Sequence, residues 1–99
     1  MRTGPCFVYI TTNLHNSVLY TGQTHDLLKR IWEHREGVAD GFTKRYKASK
    51  LVYYEVAEAH DGALYRERQI KGYSREKKIE LINTFNPEWR DLYDELTRA

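Results

Sequence analysis

Four residues of the sequence combine types and spacings that could do chemistry together: Tyr9, Tyr20, Arg30 and His34. Tyr9 and Tyr20 flank the polar stretch Asn13-Leu14-His15-Asn16, with aromatic and β-branched residues on either side of it, the composition of a hairpin. With the turn centred near Leu14 and His15, Tyr9 comes roughly opposite Tyr20, and cross-strand neighbours on one face lie close enough to share a ligand. Arg30 and His34 stand at i,i+4, so they project from one face of a helix. A guanidinium brings fixed charge and a planar fork suited to a phosphate, and an imidazole titrates where protons must move. A phenol, with a reference pKa near ~10, is a base at neutral pH only beside a metal or cations. Together such groups could bind an anion and move a proton beside it.

Each residue also has a plainer reading. Strand tyrosines commonly pack with the hydroxyl at an edge. Arg30 can form a surface ion pair with Asp26 or Glu33, and His34 can be a solvated helix residue. Glu67, beside apolar neighbours on a second helix, can pair with Arg66, Lys71 or Arg30. Asn86 before Pro87 has the pattern of a helix N-cap followed by proline at the first helical position.

The elements that must position these residues are legible from periodicity. Cys6 to Thr12 and Ser17 to Thr21 read as strands. Gly22 allows the chain to leave the second strand, Asp26 or Thr24 caps a helix, and the helix runs to Gly37 with Leu27, Leu28, Ile31 and Trp32 as its apolar stripe. Trp32 is assigned to the core. Gly37 to Ser49 shows no sustained period and reads as a long ordered loop. Leu51 to Ala57 is a third strand, in which Tyr53 and Tyr54 face opposite sides. Asp61 caps a second long helix carrying Ala63, Leu64, Glu67 and Ile70. Ser74 caps a third helix, with Ile79, Ile82, Leu81 and Phe85 on its buried side. Trp89, Leu92, Tyr93 and Leu96 recur at helical spacing in a last short helix. The expected fold class is α+β, a small three-stranded antiparallel sheet flanked by helices.

With 99 residues the chain is expected to form one domain, residues 1–99, burying somewhat over ~60% of its unfolded surface. It has no apolar run long enough to span a bilayer, and the start Met1-Arg2-Thr3-Gly4-Pro5 lacks the apolar segment of a signal peptide, so a cytoplasmic location is expected. Cys6, the one cysteine, reads as a small core residue that belongs to no metal cluster. Net charge is +2, but it is unevenly placed. Lys44, Arg45, Lys47 and Lys50 form one basic stretch, and Arg66 and Lys71 belong to another. Basic segments beside aromatic residues attract a phosphate backbone, whereas the plainer reading is a solvated face.

Phe7-Val8-Tyr9 and Tyr20-Thr21-Gly22 resemble the two signature tripeptides of the GIY-YIG nuclease superfamily, and the likeness continues through Thr24, Asp26, Leu27, Arg30, His34, Glu67 and Asn86. It is nearest to the small standalone bacterial members, in which an aromatic residue commonly replaces the first glycine. The resemblance implies a metal-dependent endonuclease acting on DNA, in a setting such as DNA repair, with Mg²⁺ or Mn²⁺ as cofactor. On that reading Tyr9, Tyr20, Arg30, His34, Glu67 and Asn86 form the site, and Glu67 is the single acidic metal ligand. Lys44, Arg45, Lys47, Lys50, Arg66 and Lys71 would contact the nucleic acid. RNA stays open as a substrate, and either shape recognition or a partner protein would supply specificity. The alternative is a nucleic-acid-binding module of the same fold with little or no catalysis.

Overall fold

The computed structural model describes residues 4–38 and 41–98. Among them the elements run β1 (Cys6–Thr12), β2 (Leu19–Thr24), α1 (Leu27–Arg35), α2 (Phe42–Tyr46), β3 (Lys50–Ala57), α3 (His60–Lys71), α4 (Arg75–Phe85) and α5 (Leu92–Thr97). The strands form one antiparallel sheet in the order β2-β1-β3. The fold is therefore the three-stranded α+β arrangement that the alternation of patterns predicts.

Because β1 is the central strand, its side chains must satisfy a core on each face. Cys6, Val8 and Ile10 pack with Val52, Tyr53, Ala63, Ile70 and Ile82, under α3 and α4. Tyr9 packs on the opposite face with Leu27, Ile31, Leu51 and Leu92, under α1 and α5. This is the period-two alternation of a strand covered on both sides. Full burial of a side chain such as Ile10 or Ile31 contributes roughly 1.5–3 kcal/mol, so neither face can be opened cheaply. A site that uses Tyr9 must therefore be reached from beside the sheet.

Several sequence expectations change. Tyr9 pairs with Gly22, and Tyr20 pairs with Thr11, so the tyrosines are diagonal neighbours, two residues from the expected register. The cause is the connection. The Asn13 carboxamide oxygen accepts from the backbone N–H of Ser17 at 2.7 Å and of Val18 at 3.3 Å, which extends the loop to residue 18 and delays β2 to Leu19. A two-residue shift preserves the face, so the pair still meets. Within the expected long loop, Phe42–Tyr46 forms α2, too short for a helical period to show. The N-cap position of α3 is Ala59, without a side-chain cap, and Asp61 lies in the first turn, where its charge suits the helix dipole. Ser74 does cap α4, accepting from the Lys77 N–H, and Asp26 caps α1, accepting from the Lys29 N–H.

Trp32 and Phe85, both assigned to buried faces, are 48% and 46% exposed; each lies at the margin of its apolar stripe. Trp89 precedes α5 with φ at 53° and donates its indole N–H to Asn83 Oδ1 at 2.6 Å. Asn86 is the C-cap residue of α4 rather than an N-cap. The segments Met1–Thr3 and Ala39–Asp40 lie outside the described residues. Among the described residues no helix is long and apolar enough to cross a membrane.

Candidate active site

Tyr9 is 2% exposed, and its ring lies across Gly22 on the neighbouring strand. A Cβ at position 22 would stand 2.6 Å from the Tyr9 hydroxyl oxygen, 2.7 Å from its ring carbon Cζ and 3.0 Å from Tyr20 Cε2. Gly22 thus makes room for the tyrosines, and it does so from within β2 rather than by turning the chain out of the strand. The Tyr9 hydroxyl lies 3.1 Å from His34 Nε2. Tyr20 is half-buried and presents its ring 6.3 Å from Tyr9 and 5.9 Å from His34, edge-on to the imidazole. One hairpin and one helix face therefore converge on three titratable rings.

Protonation in this cluster follows from burial. Removal from water pushes the Tyr9 hydroxyl well above the ordinary phenol range, and neighbouring Tyr20 adds to the rise; Arg30 opposes it, while Glu67 and Glu33 reinforce it. Burial also lowers His34 below its usual 6.5, with Arg30 acting in the same direction and Glu33 against. The resting pair is consequently a neutral phenol donating to a neutral imidazole. In that state Nε2 accepts and Nδ1 carries the proton; Nδ1 is buried without a hydrogen-bond partner among the described residues.

Arg30 and Glu67 bring opposite charges to bear on the Tyr9 hydroxyl from two different helices. The Arg30 side chain is 44% exposed and lies 3.6 Å from Glu33, its i,i+3 neighbour. It is the cation that reaches solvent beside the rings. Glu67 lies on the inward stripe of α3 between Ala63 and Ile70, both buried, and its side chain is only 14% exposed. Its carboxylate is 3.3 Å from Lys71 Nζ; that lysine, half exposed and on a flexible stem, can swing away at small cost.

Asn86 does not touch the rings. It is 1% exposed and donates through Nδ2 to Val52 O at 3.2 Å and Arg90 O at 2.8 Å, while Oδ1 accepts from Arg90 N–H at 3.1 Å. It fastens β3 to the segment that leads into α5. Lys44 and Lys47 line an open cleft beside His34, and that cleft adjoins another lined by Lys47 and Lys50. Arg45 is exposed, its guanidinium 5.5 Å from the Tyr46 ring centre. Arg66 is committed elsewhere: its guanidinium binds Glu55 at 2.8 Å, Gln69 at 2.6 Å and Tyr73 at 3.1 Å. Burial alone would raise the Glu55 carboxyl, yet the hydrogen bonds from Arg66 and Tyr53 hold it below 4.5, so that pair stays charged and joined at neutral pH.

Comparison with known proteins identifies the family. The family model described as the GIY-YIG catalytic domain matches residues 5–80. The chain belongs to the GIY-YIG family. A UPF0213 protein of Staphylococcus saprophyticus is 40% identical over 77 residues, covering 78% of this chain and 93% of its own. A UPF0213 protein of Staphylococcus aureus is 42% identical over 76 residues, covering 77% and 92%. The solution NMR structure of a UPF0213 protein from Bacillus halodurans superposes with a TM-score of 0.56 at 26% identity, over 96% of this chain and 99% of that one. GIY-YIG is a family of nucleases, so membership points to nucleic acid as the class of substrate. The matched span contains Tyr9, Tyr20, Arg30, His34 and Glu67 and stops short of Asn86.

GIY-YIG nucleases typically use a divalent metal, and the largely buried Glu67 carboxylate is a hard oxygen donor. Among the described residues, no group of three His, Cys, Asp or Glu side chains with converging ligand atoms includes Glu67. A single carboxylate supplemented by water and phosphate oxygens is how Mg²⁺ is commonly held. Two contributors escaped the sequence reading. The steric role of Gly22 follows only from the register, and Glu33, noted there as a partner for Arg30, also bears on Tyr9 and His34. The i−1 and i+3 spacing of Glu33 from His34 and Arg30 was the available signal.

Proposed function

We propose that the chain is a metal-dependent endonuclease that hydrolyses phosphodiester bonds in DNA. It would work as a single domain over residues 1–99, with Tyr9, Tyr20, Arg30, His34 and Glu67 at the site and Asn86 holding the layer beneath it. The observation that carries this reading is the buried hydrogen bond from Tyr9 to His34 Nε2, 3.1 Å long, in a cluster on which Arg30 and Glu67 both act. A phenol held protonated by burial is a poor resting base. Paired with a neutral imidazole, however, it can accept a proton from water while passing its own to Nε2, so no free phenolate is formed.

Arg30, open to solvent, binds the non-bridging oxygens of the scissile phosphate. Tyr20, half-buried beside both rings, orients the water against the phosphorus. Glu67 would hold Mg²⁺ or Mn²⁺, which would supply Lewis-acid charge to the phosphoryl group. The DNA backbone runs from the site along Lys44, Lys47 and Lys50, with Arg45 and Lys71 at its flanks. Arg66 would join it only by giving up Glu55.

The test is incubation of supercoiled plasmid and of single-stranded, flapped and branched DNA with the protein and its Glu67→Ala variant, with Mg²⁺, with Mn²⁺ and with chelator. Nicking that needs metal and disappears in Glu67→Ala is expected. A folded protein that cuts none of these substrates, yet binds them with an affinity that falls with salt, would replace the nuclease by a binding module.

A further inference from the structure

Away from the tyrosines, three side chains from three elements converge: Cys6 at the start of β1, His25 in the turn between β2 and α1, and His60 at the first position of α3. Their ligand atoms all lie within 4.8 Å of one another. Cys6 Sγ is 3.0 Å from His25 Nδ1, and the His25 and His60 rings stack with centroids 5.5 Å apart at 18°. His60 Nδ1 is buried and has no hydrogen-bond partner among the described residues. The sequence reading of Cys6 as a core residue outside any metal cluster is therefore half right: it is fully buried, but two imidazoles stand against it.

From this geometry we infer that Cys6, His25 and His60 form a second metal site, for a thiolate- and imidazole-binding divalent ion, Zn²⁺ foremost. Metal bonds of about 2.3 Å to sulfur and 2.0–2.1 Å to nitrogen put tetrahedral ligand atoms about 3.5 Å apart. The observed 3.0 Å contact and 4.8 Å limit bracket that spacing, so small side-chain rotations close the site. The donor set is softer than the lone carboxylate of Glu67 and selects a different ion. His60 and Glu67 lie on the same helix, about 10 Å apart along its axis at 1.5 Å per residue, so the two sites are separate. On binding, the Cys6 thiol loses its proton to solvent and the sulfur bonds the metal, while both imidazoles ligate in their neutral form. Cys6 itself is buried, so the ion enters past the half-buried histidines, and a water completes the fourth position. The site ties together the beginnings of β1, α1 and α3, the elements that carry Tyr9, Arg30 and Glu67, and its occupancy stabilises their arrangement.

The test is titration of chelator-stripped, reduced protein with Co²⁺ alone, followed by absorbance. One equivalent is expected to produce the near-ultraviolet band of thiolate-to-cobalt charge transfer together with intense visible bands of tetrahedral Co²⁺, and one equivalent of Zn²⁺ is expected to abolish both. Cys6→Ser removes the charge-transfer band. His25→Ala and His60→Ala each weaken binding by at least about a hundredfold, beyond the ten- to hundredfold typical of losing a mere supporting partner. Glu67→Gln leaves the titration unchanged. Circular dichroism verifies folding, and should Cys6→Ser fail to fold, the two histidine variants at half-buried positions decide. Absence of the charge-transfer band in folded protein overturns the inference, as does a band that forms with unchanged affinity after loss of either histidine or one that disappears with Glu67→Gln.

Discussion

Replacing Gly22 by alanine tests the proposed site through a single methyl group. The new Cβ would lie 2.6 Å from the Tyr9 hydroxyl oxygen and 2.7 Å from Cζ, about 1 Å inside ordinary van der Waals contact. Tyr9 is 2% exposed and bonded to His34, so its ring cannot swing into solvent, and β2 is tied into the sheet along its pairing with β1. Overpacking of this kind costs about 1–3 kcal/mol, and the smaller entropy loss of alanine returns about 0.4–1 kcal/mol. The net expectation is a loss of about 1–2 kcal/mol, a Tm lowered by roughly 4–16 °C for a domain of this size. Activity should suffer more than stability, because a displacement of about 1 Å at reacting groups can cost 10²-fold in rate. The assays are thermal unfolding by circular dichroism and the rate of plasmid nicking well below the variant's Tm. A Gly22→Ala protein with unchanged Tm and nicking within about threefold of wild type, against that expected rate loss, would refute the claim that Tyr9 must occupy this position.

Further outcomes are expected. Asn86→Ala leaves Val52 O, Arg90 O and Arg90 N–H without their partner, at a cost of about 3 kcal/mol, read as a lower midpoint in urea with an unchanged slope. Since His34 is held below 6.5 by burial and Arg30, the unfolded chain binds its proton first as pH falls. His34's contribution to stability is thus intact above 6.5 and declines from there toward its folded value, by at most about 1.4 kcal/mol per pH unit. The acid limb of nicking should likewise lie below the ordinary histidine range and move lower still in Glu33→Gln, whose negative charge now opposes the shift; an acid limb unmoved in that variant counts against His34 as proton acceptor. Replacing Lys44 and Lys47 together by alanine should reduce the slope of log binding constant against log salt by about 2, while Arg66→Ala leaves that slope unchanged and lowers Tm.

What the sequence revealed and what it hid divide along physical lines. The alternation in Cys6–Thr12 and the stripe Leu27–Ile31 arise from burial, and burial leaves a periodic trace that can be read without coordinates. The i,i+4 placement of Arg30 and His34 is local geometry, equally legible. Register is different. It depends on how Asn13 folds the connection, and two extra loop residues moved Tyr9 from opposite Tyr20 to opposite Gly22. Asn86 read as an N-cap before Pro87, whereas it closes α4 at its C-terminus and clasps Val52 and Arg90, which lie outside its own helix and leave no local pattern. The grouping of Cys6 with His25 and His60 leaves no spacing signature at all, because three separate elements contribute one ligand each.

The arrangement of the Tyr9 layer also constrains the order in which the protein can be completed during synthesis. Tyr9 emerges from the ribosome early, but the face it occupies is closed by Leu51 and Leu92, and Asp91 secures that closure by accepting the Leu51 N–H at 3.3 Å. The hairpin that bears both tyrosines therefore waits, its inner face covered only in part by Leu27 and Ile31, until residue 92 has been made. A nascent chain displays the tyrosines before it can hold them fully in place.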